Sequence, residues 1–318
     1  TVETTIQSSL GSSSGIKKVI EQVHQVAASD LSVIIQGETG AGKTHIAQII
    51  HTLSGRAGGP FVTVDLGAIP ETLVESELFG HEKGAFTGAE RKRRGYFQTA
   101  CGGTLFMDEI QNISLPMQGK LLRAVEEKSV CPVGSSSPVN TDIRIIAATN
   151  GDMAQWVKER KFREDLYFRL CEFVFTIPPL RERGEDIVVL AQKFCSEAAH
   201  EMRKPMPELS DEAAALLQNY SWPGNIRELR NVMRRAVLIC DTNILGPEQI
   251  SFLDAQKEEG PCLPLPGETS GLSLADWEKL AIRRALEASN GNKTKAAALL
   301  QIDYTTLLRK IKQYGVSL

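Results

Sequence analysis

The chain has 318 residues, 42% hydrophobic and 24% charged, with a net charge of −3. That length admits two or three domains, and the composition is that of a globular protein. The near-neutral balance excludes a chain that is basic throughout, so any nucleic-acid contact must come from a local patch. The six cysteines, Cys101, Cys131, Cys171, Cys195, Cys240 and Cys262, are scattered with no CxxC pair. They argue for reduced thiols over a disulfide framework or a metal site. No apolar run approaches the ~20 residues of a membrane span. The polar start, Thr1-Val2-Glu3-Thr4-Thr5, lacks the apolar core of a signal peptide. A cytoplasmic protein is expected.

Residues 1–15 are rich in Ser, Thr and Gly and read as a linker. Ile16, Val19, Ile20, Val23 and Val26 then recur at helical spacing. Residues 31–36 read as a buried strand, and Gly37-Glu38-Thr39-Gly40-Ala41-Gly42-Lys43-Thr44 follows directly. A helix is predicted over 46–53. Strands are predicted at 61–64, 104–107, 143–148 and 173–177, alternating with helices, which implies a parallel sheet with helices on both faces. After Pro178-Pro179 the β signal vanishes. Residues 187–201, 211–218 and 225–240 read as helices of a small lid. Residues 255–270 hold Gly260, Pro261, Pro264, Pro266 and Gly267 and read as a second linker. The tail, 271–318, is helical and locally basic.

The pattern GxxxxGKT between a strand and a helix is a phosphate-binding loop. Its glycines let backbone N–H groups approach phosphates without a Cβ clash, and the helix adds its dipole. Lys43 would neutralise β- and γ-phosphate charge, and Thr44 would place its hydroxyl on Mg²⁺. Asp108-Glu109 ends the apolar strand 104–107. Asp108 would hold Mg²⁺ directly or through water, and Glu109 would orient the attacking water. ATP and Mg²⁺ are therefore the expected ligands.

In the tail, residues 292–300 and 304–314 read as two short helices joined by a turn at 301–303. Leu307, Leu308 and Ile311 are expected to face inward. This is a helix-turn-helix with a basic second helix. Asp303, Tyr304, Thr305, Thr306 and Arg309 are candidate base readers; Lys293, Lys295, Lys310 and Lys312 are candidate phosphate contacts. The helix before it, with Trp277, Leu280, Ala281, Ile282 and Leu286, could pack beneath and dimerise.

Between the two nucleotide motifs lies Gly84-Ala85-Phe86-Thr87-Gly88-Ala89, flanked by Glu77-Leu78-Phe79-Gly80-His81-Glu82-Lys83 and Glu90-Arg91. In that setting the hexapeptide resembles the signature loop of the bacterial sigma-54-dependent transcriptional activators, NtrC-type enhancer-binding proteins of the AAA+ class. The tail resembles their Fis-type module, and the resemblance runs from about residue 16 to 314. It implies an α/β AAA+ P-loop ATPase (16–178), a helical lid (179–254) and an all-α DNA-binding domain. Residues 84–89 would contact sigma-54, with Phe86 and Thr87 as the matched contacts, and hydrolysis would remodel the closed promoter complex. Thr149 and Asn150 match the residues that sense the γ-phosphate. Arg163 and Arg169, in Phe162-Arg163-Glu164-Asp165-Leu166-Tyr167-Phe168-Arg169, match the segment carrying an arginine finger to the neighbouring subunit. That implies a ring of six or seven copies. Arg227, in Trp222-Pro223-Gly224-Asn225-Ile226-Arg227, matches a lid contact to nucleotide. Asn225 is expected to cap its helix. A dimeric tail implies a palindromic enhancer.

The chain departs from that pattern in three places. Asp65-Leu66-Gly67 stands where the family usually has Asn-Cys-Ala. In the family the Asn holds the catalytic Glu inactive. Asp65 has no amide to donate and would repel Glu109, so hydrolysis is either less gated or gated by another donor. Thr44 replaces a common Glu, and Gln301 a common Gly. No sensory domain is seen, which leaves open an upstream segment or a separate controlling partner. Two other readings stand beside this one: a DNA-binding regulator whose ATPase no longer couples to sigma-54, and an AAA+ chaperone or helicase loader. Intact Phe86 and Thr87 argue against the first; the tail and the loop flanks argue against the second.

Overall fold

The computed structural model describes residues 10–251 and, beyond them, residues 279, 282–283, 285–286, 293, 296–297, 300, 302 and 304–314. Helix α1 (Ser14–Ala27) buries Ile16, Val19, Ile20, Val23 and Val26 on one face, as the periodicity predicts. The buried Arg144 guanidinium closes its end, donating to the carbonyls of Val26 at 2.7 Å and Ala27 at 3.1 Å. The Val26 carbonyl also accepts from Ser29 N at 3.1 Å and Ser29 Oγ at 2.9 Å, and a cation at this end suits the helix dipole.

The central layer is a five-stranded parallel sheet of β1 (Val33–Gln36), β2 (Phe61–Asp65), β5 (Thr104–Asp108), β8 (Arg144–Thr149) and β9 (Phe173–Thr176). Its order is β2-β5-β8-β1-β9. Helix α2 (Lys43–Leu53) follows β1; it starts three residues earlier than predicted, because Lys43 already lies on the first turn. On the other face lie α3 (Glu71–Phe79), α4 (Tyr96–Thr99), α5 (Leu115–Glu127), α6 (Met153–Lys158) and α7 (Glu164–Leu170). Neighbouring residues of β1 serve opposite cores. Val33 and Ile35 join a cluster with α1 and α2, while Ile34 joins Leu105, Met107 and Ala147 on the other face. That is the two-residue period of a strand covered on both sides. All of β8 is buried, as a central strand demands.

Two short antiparallel ladders, below the length that alternation can signal, were not foreseen. β3 (Gly80–His81) pairs with β4 (Arg93–Arg94), and β6 (Ser129–Val130) with β7 (Val139–Asn140). The first closes the base of the hexapeptide loop. The lid comprises α8 (Gly184–Met202), α9 (Asp211–Asn219), α10 (Asn225–Ile239) and the parallel pair β10 (Glu208–Leu209) and β11 (Ile244–Leu245). Trp222, Phe194 and Leu229 are buried there, in one cluster with α1 and α2. Each such side chain contributes ~1.5–3 kcal/mol by leaving water.

Residues 254–318 form a separate unit. Within it Ile282, Ala285, Leu286, Ala296, Ala297 and Leu307 make a small core, and α11 (Tyr304–Tyr314) is the last helix among the described residues. Leu308, expected inward, is 36% exposed; it directly follows buried Leu307, and one helical step turns it off the core. No helix among the described residues is long and apolar enough to cross a membrane.

Candidate functional site: a nucleotide cleft with two unlike ends

The C-terminal ends of β1, β2 and β5 open into a cleft of about 530 Å³. At one end stand Thr39, Gly40, Gly42, Lys43, Thr44, Asp65, Asp108 and Glu109; at the other Leu10, His45, Ile226, Arg227, Arg230 and Asn231. Four sequence-predicted features therefore meet in one place: the phosphate loop, the acidic pair, Asp65, and Arg227 from the lid.

The loop's shape follows from its glycines. Gly40 has φ +79° and Gly42 φ +105°, the left-handed region that side chains avoid. Gly40 also needs clearance, since a Cβ there would stand 2.3 Å from the Gly224 carbonyl oxygen. Lys43 Nζ donates to the carbonyls of Gly37 at 2.8 Å and Glu38 at 3.1 Å. Burial draws the Lys43 pKa down, against the pull of Asp108 and Glu109. Thr44 is exposed within the cleft. Gly37, Glu38 and Ala41 shape the loop without lining the cleft: Ala41 is fully buried, and the Glu38 carboxylate is turned to the lid. There it accepts from Arg181 at 2.6 and 2.9 Å and from Asn225 Nδ2 at 3.1 Å. The Arg181 bonds hold Glu38 below the usual carboxylate range.

Asn225 does not cap α10. Its backbone is left-handed, φ +50°, and its side chain bridges the loop and lid instead. Its Oδ1 accepts from Leu180 N at 2.8 Å, and its Nδ2 donates to Glu38 and to the Thr39 carbonyl. The capping bond comes from Glu228, whose carboxylate accepts from Gly224 N at 2.8 Å.

Asp65 and Asp108 are register partners at the ends of β2 and β5. The Asp65 carboxylate accepts from Gly67 N at 2.9 Å, and the Asp108 carboxylate from Glu109 N at 3.0 Å. The partner of the Glu109 carboxylate is Asn112 Nδ2, at 2.6 Å. Thr149 is fully buried at the end of β8, and its hydroxyl accepts from Gly151 N. Asn150 is exposed and accepts from Gln111 Nε2 at 3.1 Å. Neither lines the cleft. Arg163 and Arg169 also lie away from it. Arg163 is bidentate on Asp165, at 3.0 and 2.7 Å. Arg169 bonds Glu172 at 2.7 Å, and Glu172 accepts from Ser32 N just before β1, at the N-terminal end of the strands, opposite the cleft.

The far end of the cleft was missed, apart from Arg227. Ile226, Arg230 and Asn231 continue its helical face at i, i+4 spacing, a signal that was available. His45 follows Thr44 on α2; its Nε2 finds no hydrogen-bond partner among the described residues, and burial lowers its pKa. Leu10 gave no signal at all. It lies in the segment expected to be a linker, yet is 1% exposed. Ser12 N and Ser13 N donate to Asp186 Oδ1 at 2.6 and 2.8 Å. Arg183, whose pKa burial lowers to about 10, donates to the Leu10 carbonyl at 3.0 Å.

The hexapeptide stands on the β3–β4 ladder. Its waist is closed by Gly84 N donating to Ala89 O at 2.8 Å and Ala89 N to Phe86 O at 3.0 Å. Gly84 and Gly88 have φ +81° and +105°. Phe86 and Thr87 are exposed, and the Phe86 ring meets His81 edge-on at 5.0 Å. Ala85 is half-buried, and Ala89, expected among the contacts, is buried and serves as the loop's closure. In the tail Lys293, Tyr304, Thr305 and Arg309 are exposed and Thr306 half-buried. Lys310 Nζ stands 6.0 Å from the Tyr314 ring centre. Lys295, Asp303 and the Lys312 side chain lie outside the described residues.

Three known families match successive stretches of the chain. The sigma-54 interaction domain family matches residues 9–176, the AAA+ ATPase lid domain residues 181–261, and the bacterial regulatory protein Fis family residues 273–314. Transcriptional regulatory protein ZraR of Salmonella typhimurium is 44% identical over 96% of this chain and 68% of its own length. The alginate biosynthesis regulatory protein AlgB of Pseudomonas aeruginosa is 44% identical over 94% and 65%. Crystal structures of NtrX from Brucella abortus superpose with a TM-score of 0.73 at 29% identity, over 99% of this chain and 71% of that one. One in complex with ATP gives 0.72 at 30%, over 96% and 69%.

Proposed function

The chain belongs to the sigma-54-dependent transcriptional activators with a Fis-type DNA-binding domain, and from that premise we propose that it is an ATPase whose hydrolysis drives the Gly84–Ala89 loop against sigma-54. The observation that carries this reading is the cleft itself. Lys43, Thr44, Asp108 and Glu109 converge there on the sheet whose insertion presents Phe86 and Thr87. The ATP-bound NtrX supports ATP as the ligand.

The polar end suits a triphosphate. Lys43 and the loop N–H groups would hold the β- and γ-phosphates. The Thr44 hydroxyl and the Asp108 carboxylate form a hard oxygen pair that fits Mg²⁺; that ion would supply charge neutralisation on the phosphate oxygens. Glu109 would orient and polarise the water. Leu10, His45 and Ile226 would take the nucleobase, and Arg227 would reach the phosphates from the lid. Arg163 and Arg169, off the cleft of their own chain, are disposed to act on a neighbour's, which requires a ring. Thr149 and Asn150, at the end of β8, would report the γ-phosphate. Arg309, Tyr304, Thr305 and Thr306 would read bases, and Lys293 and Lys310 would contact phosphates, on a palindromic site bound by a tail dimer.

The test is a native-gel shift of the chain with sigma-54 in ADP plus aluminium fluoride. A stable complex that Thr87→Ala abolishes is the expected result. ATP hydrolysis without any complex would instead leave a DNA-binding ATPase with another target.

A further inference from the structure

Glu109 is held in an unusual way. Its backbone is left-handed, φ +54°, a conformation seldom taken by residues other than glycine and asparagine. It opens a short 3₁₀ turn, Ile110–Asn112, that carries two adjacent amide side chains. Asn112 Nδ2 donates to Glu109 Oε2 at 2.6 Å, and Gln111 Nε2 donates to Asn150 Oδ1 at 3.1 Å. Opposite the first pair is Gly67. A Cβ there would stand 2.3 Å from Glu109 Oε2 and 2.9 Å from Asn112 Nδ2. Gly67 has no positive φ to explain it; its missing side chain is clearance for this pair. Asp65 fixes that clearance by accepting from Gly67 N.

We propose that Asn112 is a positioning residue that parks Glu109, with Gly67 as the socket and the Gln111–Asn150 bond tying the parked turn to the end of β8. This rests on the reading of Glu109 as the group that orients water. The physical argument concerns the carboxylate. One of its oxygens already accepts a charge-assisted hydrogen bond, which fixes its direction and occupies a lone pair that a water would need. To serve water, Glu109 must break or stretch that bond. A shift of Asn150 pulls on the same three-residue turn through Gln111. Asp65 then has a scaffold role: it shapes the socket and leaves the amide bond to Asn112.

The test uses the full chain. Asn112→Ala is expected to raise the basal kcat about tenfold, the factor carried by one hydrogen bond to a charged group, with KM within about twofold of the parent. Gly67→Ala, whose methyl would displace the Glu109 carboxylate from its socket, is expected to raise kcat similarly. The double variant should gain no more than the larger single, because both release one restraint. ADP affinity by titration calorimetry without Mg²⁺ and the thermal midpoint should stay near the parent values. An unchanged or lower kcat in Asn112→Ala, with ADP binding intact, would overturn the proposal. Glu109→Gln separates the two ideas. If it abolishes hydrolysis while Asn112→Ala gains nothing, only the parking role fails. If it leaves hydrolysis intact, the reading of the site itself fails.

Discussion

The two ends of the cleft are built by different means. The phosphate end comes from short pieces at strand ends: residues 37–44 after β1, Asp65 at the end of β2, and residues 108–109 at the end of β5. The end proposed to take the base is assembled from α2, α10 and a segment at the start of the described chain, held by bonds such as Ser13 N to Asp186, 173 positions apart in sequence. Chemistry that depends on adjacent residues can be encoded locally. A wall for a flat apolar ring needs only buried surface, and any element that reaches can supply it.

The two ends can be broken separately. Lys43→Ala should cost the most. It removes the charged donor at the phosphate end, and affinity for both ATP and inorganic tripolyphosphate should fall by at least ~10²-fold. Titration calorimetry with each ligand checks this, and equal losses are expected. Gly11→Ala should act at the other end alone. Gly11 has φ +98°, and a Cβ there would lie 2.1 Å from Asp186 Cγ. The segment must lift, taking Leu10 from the cleft. ADP affinity should fall about tenfold, the worth of one buried leucine wall, while tripolyphosphate affinity holds. A parallel loss of both would show that the ends are mechanically one.

The smallest effect concerns the bond between loop and lid. Arg181 holds Glu38 below its ordinary value of 4.5. A carboxylate with a depressed folded pKa adds stability above its unfolded pKa, and that stability is lost as pH falls through the folded value. The pair is exposed, so the effect is small. Between pH 7 and pH 3 the thermal midpoint of Glu38→Gln should fall slightly less than that of the parent chain. An identical fall would mean that the ion pair contributes nothing to the closure of the lid.

Much of the fold was legible. The i, i+3, i+4 spacing of α1 and the apolar runs of β5 and β8 survive, because each buries a face that its own period defines; the run at 31–36 is shorter than expected, since β1 begins at Val33 and Leu31 is exposed. The antiparallel ladder under the hexapeptide was not legible, since two-residue strands carry no period. Asn225 looked like a helix cap by residue type alone. Its left-handed backbone instead turns the amide to Glu38, Thr39 and Leu180, partners that only packing brings near. Asp65 and Glu109 both stand at strand ends facing one cleft, and Asp65 has no amide to donate. The structure puts Gly67 N on Asp65 and the Asn112 amide, three residues along the same turn, on Glu109.

The sequence by itself determined the ATPase core, the loop on its insertion and the DNA-binding tail. Each rests on contiguous motifs whose chemistry needs neighbouring residues, and a chain states its neighbours outright. Tertiary structure alone decided which carboxylate faces which amide, where the first described residues dock, and what closes the base end. Those contacts join positions far apart in sequence. They arise when burial of shared apolar surface brings polar groups together and leaves each to find the partner within reach.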